Sequence, residues 1–265
     1  PLHTLPVGKN IDAGRISQSL AAIGYPTKAT LTVTISDDNE VVGRNHWDFW
    51  VYPATIEMPS TEGIYITDVL DDKATQVLSN GGKVLLTAAG KVTYGSDVVQ
   101  HYLPVFWNTS WFKMRPPHTT GAVIDTTHPL FAHGFPTDTW ANLNWWQLLN
   151  KAQVINLTDF PAEFQSPIQP IDTWHISRKL GMLIEANVSG GKLLMTTMDI
   201  STALDRRIVA RQMRSAIISY MQSTDFAPAL TIEPEVIADL YTKQAPRVDM
   251  YTNGSPDELK PAIIR

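Results

Sequence analysis

Residues 62–87 constrain the fold more than any other stretch. Ile64-Tyr65-Ile66-Thr67 is a short apolar run, and Asp71-Asp72 then supply the acidic side chains that suit a helix N-terminus. Asn80-Gly81-Gly82 carries a helix-ending signal, because glycine takes the left-handed conformation at no steric cost. Lys83-Val84-Leu85-Leu86-Thr87 follows as a buried strand. Strand, helix and strand in so short a span form a β-α-β unit, which requires a parallel sheet with a right-handed crossover. Further apolar runs extend that sheet: Ala122–Ile124, Gln153–Leu157, Gly181–Asn187 and Lys192–Thr197. The last two are joined by Ser189-Gly190-Gly191, a hairpin-type connection, so a mixed sheet with an antiparallel edge is expected.

The start of the chain reads differently. In Ala29-Thr30-Leu31-Thr32-Val33-Thr34-Ile35 apolar residues alternate with threonines, the period of a strand with one buried face. Ser36-Asp37-Asp38-Asn39-Glu40 has turn chemistry, since short polar side chains bond their own backbone. A second strand follows, with Trp47, Phe49 and Val51 on one face and Asp48, Trp50 and Tyr52 on the other, closed by Pro53. A sandwich of the immunoglobulin type takes about seven strands and about 100 residues, so residues 1–53 are expected to be either a small sheet packed on the main domain or the end of a larger sandwich. The chain begins at Pro1 without an initiator methionine, and it is expected to be part of a longer polypeptide.

Near the other end, a helix is predicted over 203–222. Thr202 and Asp205 resemble a capping box, and Val209, Met213, Ala216, Ile217 and Tyr220 form one apolar stripe. Arg206, Arg207, Arg211 and Arg214 fall mostly off that stripe, as a solvated face or an anion patch. Residues 226–265 form a proline-rich extension with a short helix at 234–242.

Composition removes several functions. A net charge of −5 and a pI near 5.8 argue against a nucleic-acid partner, which calls for a basic face. No run approaches the roughly 18–20 apolar residues of a membrane-spanning helix. The absence of cysteine excludes disulfides, thiolate metal sites and cysteine nucleophiles. His128 and His133 are separated by Pro129 and cannot share a helical face, so no metal site is expected. There is no G-x-S-x-G and no phosphate-cradling loop, and the strand at 83–87 leads into Ala88-Ala89-Gly90, with nothing nucleophilic at its tip. No catalytic residue and no cofactor are expected. Residue Glu185, inside a predicted strand, is the one carboxylate in a distinctive setting.

Residues 101–175 hold six of the eight tryptophans and five of the seven histidines, with prolines breaking any helix. Long ordered loops of this kind bind or pack. Trp107, Trp111, His118, Trp145 and Trp146 are the candidate carbohydrate-binding residues, because flat aromatic faces stack on the C–H face of a sugar ring. The alternative is that these aromatics anchor the loops to the domain. Asn-x-Ser/Thr triplets begin at Asn108, Asn156, Asn187 and Asn253, and the two in predicted strands read as chance.

An ordered set of motifs carries a resemblance over roughly 27–222: Asn45-His46-Trp47-Asp48-Phe49-Trp50-Val51-Tyr52-Pro53, Phe106-Trp107-Asn108-Thr109-Ser110-Trp111, Pro117-His118-Thr119-Thr120-Gly121, Asp125 with His128-Pro129, Phe135-Pro136-Thr137, and Asn144-Trp145-Trp146-Gln147. Together they resemble the C-terminal accessory region of bacterial family-2-type, β-galactosidase-like glycoside hydrolases, especially secreted enzymes of gut Bacteroidetes. The resemblance implies a tail of a β-sandwich over 1–53 and a class I glutamine-amidotransferase-like, flavodoxin-like α/β domain over 54–225. It implies a catalytic barrel on the parent chain, which carries the glutamates that break glycosidic bonds, so none of those residues transfers to this sequence. A module without an elbow cysteine would be inactive by itself. The implied partners are that barrel, an oligosaccharide and further copies of the chain; the implied location is periplasmic or secreted.

Overall fold

The computed structural model describes residues 8, 10–12, 14–98, 100, 119, 121–172 and 176–244. Trp107, Trp111 and His118 lie outside the described residues.

The β-α-β unit forms as its sequence dictates. Strand β3 (Ile64–Thr67), helix α1 (Asp72–Ser79) and strand β4 (Lys83–Thr87) follow in order, and β3 pairs parallel with β4. Asp71 caps α1, its carboxylate accepting the Ala74 N–H at 2.7 Å. Gly81, at φ +77°, turns the chain so that the Gly81 and Gly82 N–H groups close on Leu78 and Val77 carbonyls. Strands β5 (Gly121–Ile124) and β7 (Ile168–Ile171) pair antiparallel, as do β6 (Ile155–Asn156) and β8 (Leu180–Gly181). The predicted strand at 153–157 thus shrinks to two paired residues.

Strands β9 (Leu183–Val188) and β10 (Gly191–Thr196) form the expected hairpin. β10 inserts beside β4 in parallel, giving a four-stranded mixed sheet in the order β3-β4-β10-β9. Alternation along the strands feeds two apolar layers. Val84, Leu86, Leu193, Met195, Ile184 and Ala186 pack with Ala74 and Leu78 of α1 and with Ile237 and Leu240 of α4 (Pro234–Thr242). Leu85, Leu194 and Leu183 face the other way, against Met213, Ile217 and Tyr220 of α3 (Ile208–Gln222). The result is a mixed α/β architecture with helices on both faces of the sheet. Gly191 is required where β10 crosses α1, because a Cβ there would sit 2.6 Å from the Leu78 carbonyl oxygen and 2.7 Å from that of Gly82.

Three expectations change. Helix α3 begins at Ile208, not 203: Thr202 gives its backbone N–H and hydroxyl to Asp199 and so belongs to the preceding turn, and Arg207 occupies the cap position without its side chain capping the helix. Phe226, Ile232, Ile237 and Leu240 are core residues, so the α/β unit continues past 225 to the end of α4. The third change concerns the hairpin of β1 (Thr27–Asp37) and β2 (Glu40–Val51), which turns through Asp38 and Asn39 at φ 43° and 70°. The register puts Ala29, Leu31, Val33 and Ile35 on one face with Trp47, Phe49 and Val51, as the alternation requires. That face is not buried: Leu31 is 40% exposed, Val33 38%, Ile35 49%, Trp47 50% and Phe49 38%.

Candidate functional site

Three of the motifs, Asn45–Pro53, Phe135-Pro136-Thr137 and Asn144–Gln147, meet at the base of the hairpin. Beyond β2 the chain passes Tyr52 and Pro53 and runs beside α3. The Tyr52 hydroxyl donates to Asn144 Oδ1 at 2.6 Å, and Asn144 Nδ2 donates to the Pro136 carbonyl at 3.1 Å. Trp145 Nε1 donates to Thr137 Oγ1 at 3.1 Å, and its ring meets Phe135 and Phe131 edge-on at centroid separations of 5.0 and 6.1 Å. Burial pushes the Tyr52 phenol up to about 12. At the hairpin's first strand Lys28 bridges Asp48 and Asp138, each at 3.0 Å. The Thr30 hydroxyl and Lys28 hold the Asp48 carboxyl below the usual range.

Helix α3 completes the junction with arginines and with a cap borrowed from elsewhere. Gln147 Oε1 accepts the Val209 N–H at 3.0 Å, satisfying a first-turn donor that α3's own residues leave open. Arg207 donates to the Gln147 and Asp199 carbonyls and pairs with Asp199 at 2.8 Å. Arg211 donates to the Ala54 carbonyl at 2.9 Å, and Arg214 to that of Ile200 at 3.2 Å. Of the four arginines expected on a solvated face or an anion patch, these three are clamps on backbone carbonyls. Arg206 is the solvated one, its side chain 87% exposed. Between hairpin and helix lies an open groove of about 590 Å³ walled by Leu20, Phe49, Trp50, Val51, Tyr52, Leu143, Ile208 and Val209, with Asp48, Asn144 and Gln147 as its polar members.

A second polar cluster sits under α3. Alternation on β9 sends Glu185 into the layer that holds Leu183, where Tyr220 donates to its Oε2 at 2.7 Å and His128 Nε2 meets its Oε1 at 3.4 Å. The other ring nitrogen of His128 accepts the Leu130 N–H at 3.3 Å and caps a short 3-10 turn, Pro129–His133. Both ring nitrogens are therefore engaged within the chain. Burial and the Glu185 carboxylate push the Tyr220 phenol up. His133 packs on Tyr220 at 5.7 Å and meets Asp225 at 2.9 Å. His128 also lines a cleft of about 150 Å³ with Asp125, Gln165 and Gln169. The Thr127 hydroxyl holds the Asp125 carboxyl below its ordinary range. Among the described residues no three His, Asp or Glu side chains gather where they could hold a metal ion.

Two of the proposed sugar-stacking residues can be located. Trp145 is fully buried in the core, with no ring face free for a sugar, whereas its neighbour Trp146 is 47% exposed. Asn156 and Asn187 are held in strands, and Asn187 Nδ2 donates to the Pro228 carbonyl at 2.7 Å. Sequence reasoning named Tyr52 and Asn144 only within the resemblance motifs and Tyr220 only within an apolar stripe, and it gave none of them a polar partner. A carboxylate at position 185 inside an apolar strand was the only local signal that such a partner must exist, because a buried charge needs hydrogen bonds.

No helix among the described residues is long and apolar enough to cross a membrane. The architecture, a mixed sheet with helices on both faces, defines a mixed α/β protein. The model of the family described as Domain of unknown function (DUF8487) matches residues 65–242, more than half of the chain, and the chain belongs to that family. A separate model, Domain of unknown function (DUF8488), matches residues 1–53, the part that contains the hairpin. Comparison with curated proteins gave no match.

Proposed function

We propose that this chain is a non-catalytic accessory module of a carbohydrate-degrading glycoside hydrolase of the β-galactosidase-like type, with an amidotransferase-like, flavodoxin-like α/β domain whose task is packing and assembly. The observation that carries the reading is the use made of the resemblance motifs. Tyr52, Asn144, Trp145 and Gln147 each direct their polar atoms at other parts of the same chain, tying hairpin, turn and α3 together. The turn after β4 supports it as well, since Ala88 and Ala89 offer no nucleophile where an amidotransferase-like fold carries one. On this reading the partners are the catalytic barrel of the parent enzyme and further copies of the chain, and the location is periplasmic or secreted. The test is turnover of chromogenic aryl glycosides by the purified chain: no rate above buffer is expected, and a rate abolished by substituting a carboxylate of this chain overturns the proposal.

A second reading, carbohydrate binding, is favoured by the exposure of Trp146 beside the 590 Å³ groove that its neighbours Asn144 and Gln147 line. Calorimetric titration with oligosaccharides separates it from the first: heat that saturates at millimolar ligand and is lost in Trp146→Ala supports binding, and no heat in that range removes it.

A further inference from the structure

We propose that His128 is a pH-sensitive latch: neutral, it caps the Pro129–His133 turn, and on protonation it lets that turn go and holds to Glu185 instead. The geometry selects one neutral form of the ring. Nδ1 accepts the Leu130 N–H at 3.3 Å, so the ring proton sits on Nε2, which faces Glu185 Oε1 at 3.4 Å. A second proton can enter only at Nδ1. There it sets two N–H groups against each other, and the bond to Leu130 must break. The side chain is 12% exposed and lines the 150 Å³ cleft, so solvent protons reach it.

The groups around the ring favour the exchange. Glu185 comes from β9 and Asp125 from the ring's own loop. Tyr220 of α3 packs on His128 at 5.5 Å and donates to Glu185 Oε2 at 2.7 Å. Gln165, Ser166 and Gln169, which also line the cleft, are neutral. Among the described residues no lysine or arginine pairs with Glu185, so an imidazolium at 128 is the counter-charge it can gain. His133, at the other end of the same turn, gives the contrast. Its Nε2 faces Asp225 Oδ2 at 2.9 Å and Ser223 Oγ at 3.5 Å, and its ring packs on Tyr220. Among the described residues no N–H is donated to its Nδ1, so protonation there strengthens the hold on Asp225 and breaks nothing. Acid thus frees the first end of the turn and secures the last. The turn carries Leu130 and Phe131 into the layer beneath α3, and what loosens is the wall between cleft and core. The capping contribution is complete while His128 is neutral and is lost as pH falls through the histidine range, between about pH 8 and 5.

This behaviour is independent of the packing role proposed above. The experiment is NMR on the whole chain from pH 8 to 5. Side-chain nitrogen shifts report the tautomer and charge of each histidine, and solvent exchange of the Leu130 amide, corrected for the intrinsic effect of pH, reports the cap. His128 should be the Nε2–H tautomer at pH 8, and Leu130 protection should fall about fivefold as the ring gains its second proton. Amides in the middle of α3 should keep theirs. His128→Asn retains a capping acceptor that does not titrate, so its Leu130 protection should stay flat. His133→Gln leaves the latch in place and should reproduce the parent's fall. An Nδ1–H tautomer at pH 8, a His128 that stays neutral down to pH 5, or Leu130 protection that is unchanged while His128 titrates overturns the proposal. A fall that persists in His128→Asn overturns it equally.

Discussion

Asn144→Ala tests the junction at its centre. The side chain is 4% exposed, and it accepts from the Tyr52 hydroxyl at 2.6 Å and donates to the Pro136 carbonyl at 3.1 Å. Truncation leaves both partners without their bond. An orphaned buried polar group costs about 1–3 kcal/mol; Tyr52 is only half-buried and recovers part of that from water. The sum is roughly 2–4 kcal/mol, which for a unit of this size lowers Tm by about 5–15 °C. Tyr52→Phe removes one bond and orphans only Asn144 Oδ1, for about 1–2 kcal/mol. The two substitutions share a hydrogen bond, so the double variant should be less destabilised than their sum by about 1 kcal/mol. Urea unfolding followed by tryptophan fluorescence measures all three. If Tyr52→Phe leaves the midpoint unchanged and the double variant is additive, the hairpin base is not anchored in this way and the reasoning fails.

Gly191→Ala should be among the most damaging small changes, because the added methyl meets backbone on all sides and nothing flexible can give way. We expect a loss of at least 1–3 kcal/mol; Gly24→Ala, with nothing within 4 Å, is the matched control. Tyr220→Phe leaves the Glu185 carboxylate with His128 at 3.4 Å as its remaining partner of the pair and should cost about 1.5–3 kcal/mol by urea unfolding; a loss under about 0.5 kcal/mol would show the cluster to be incidental. Gln147→Ala removes the borrowed cap of α3 and should cost about 1 kcal/mol, with the Val209 amide exchanging faster. Alkali should unfold the protein. The Tyr52 phenol is raised from 10 to about 12 in the folded state, and those of Tyr220 and Tyr241 are raised too. The folded state thus holds protons that the unfolded state releases; their stabilisation is complete below pH 10 and is lost as pH rises toward 12. A denaturant midpoint that is flat across pH 9–12 would contradict this.

What was legible in the sequence is what local chemistry decides. The β-α-β unit, the acidic start of α1 at Asp71-Asp72, the turn within Ser36–Glu40 and the α4 bounds are fixed by residues within a turn or two of the element they shape. The errors lie where partners come from far along the chain. Helix α3 starts late because its first-turn donor is satisfied by Gln147, about 60 residues upstream, and no local pattern encodes that bond. The arginines looked solvated on a helical wheel, yet the carbonyls of Ala54 and Gln147 arrive from other segments to meet them. Trp145 and Trp146 are adjacent and chemically alike, and only the tertiary fold sends one into the core and leaves the other in water. Alternation in β1 correctly identified an apolar face; it carried no information on whether a partner layer is present.

The central claim is that these polar side chains hold the molecule together instead of acting on a substrate. Its most direct test is the hydrolysis rate of a panel of aryl glycosides by the purified chain, run beside the Glu185→Gln and Asp125→Asn variants. The account predicts the same background rate for all three proteins. A parent rate well above background that either substitution removes, with the fold intact by circular dichroism, would contradict it.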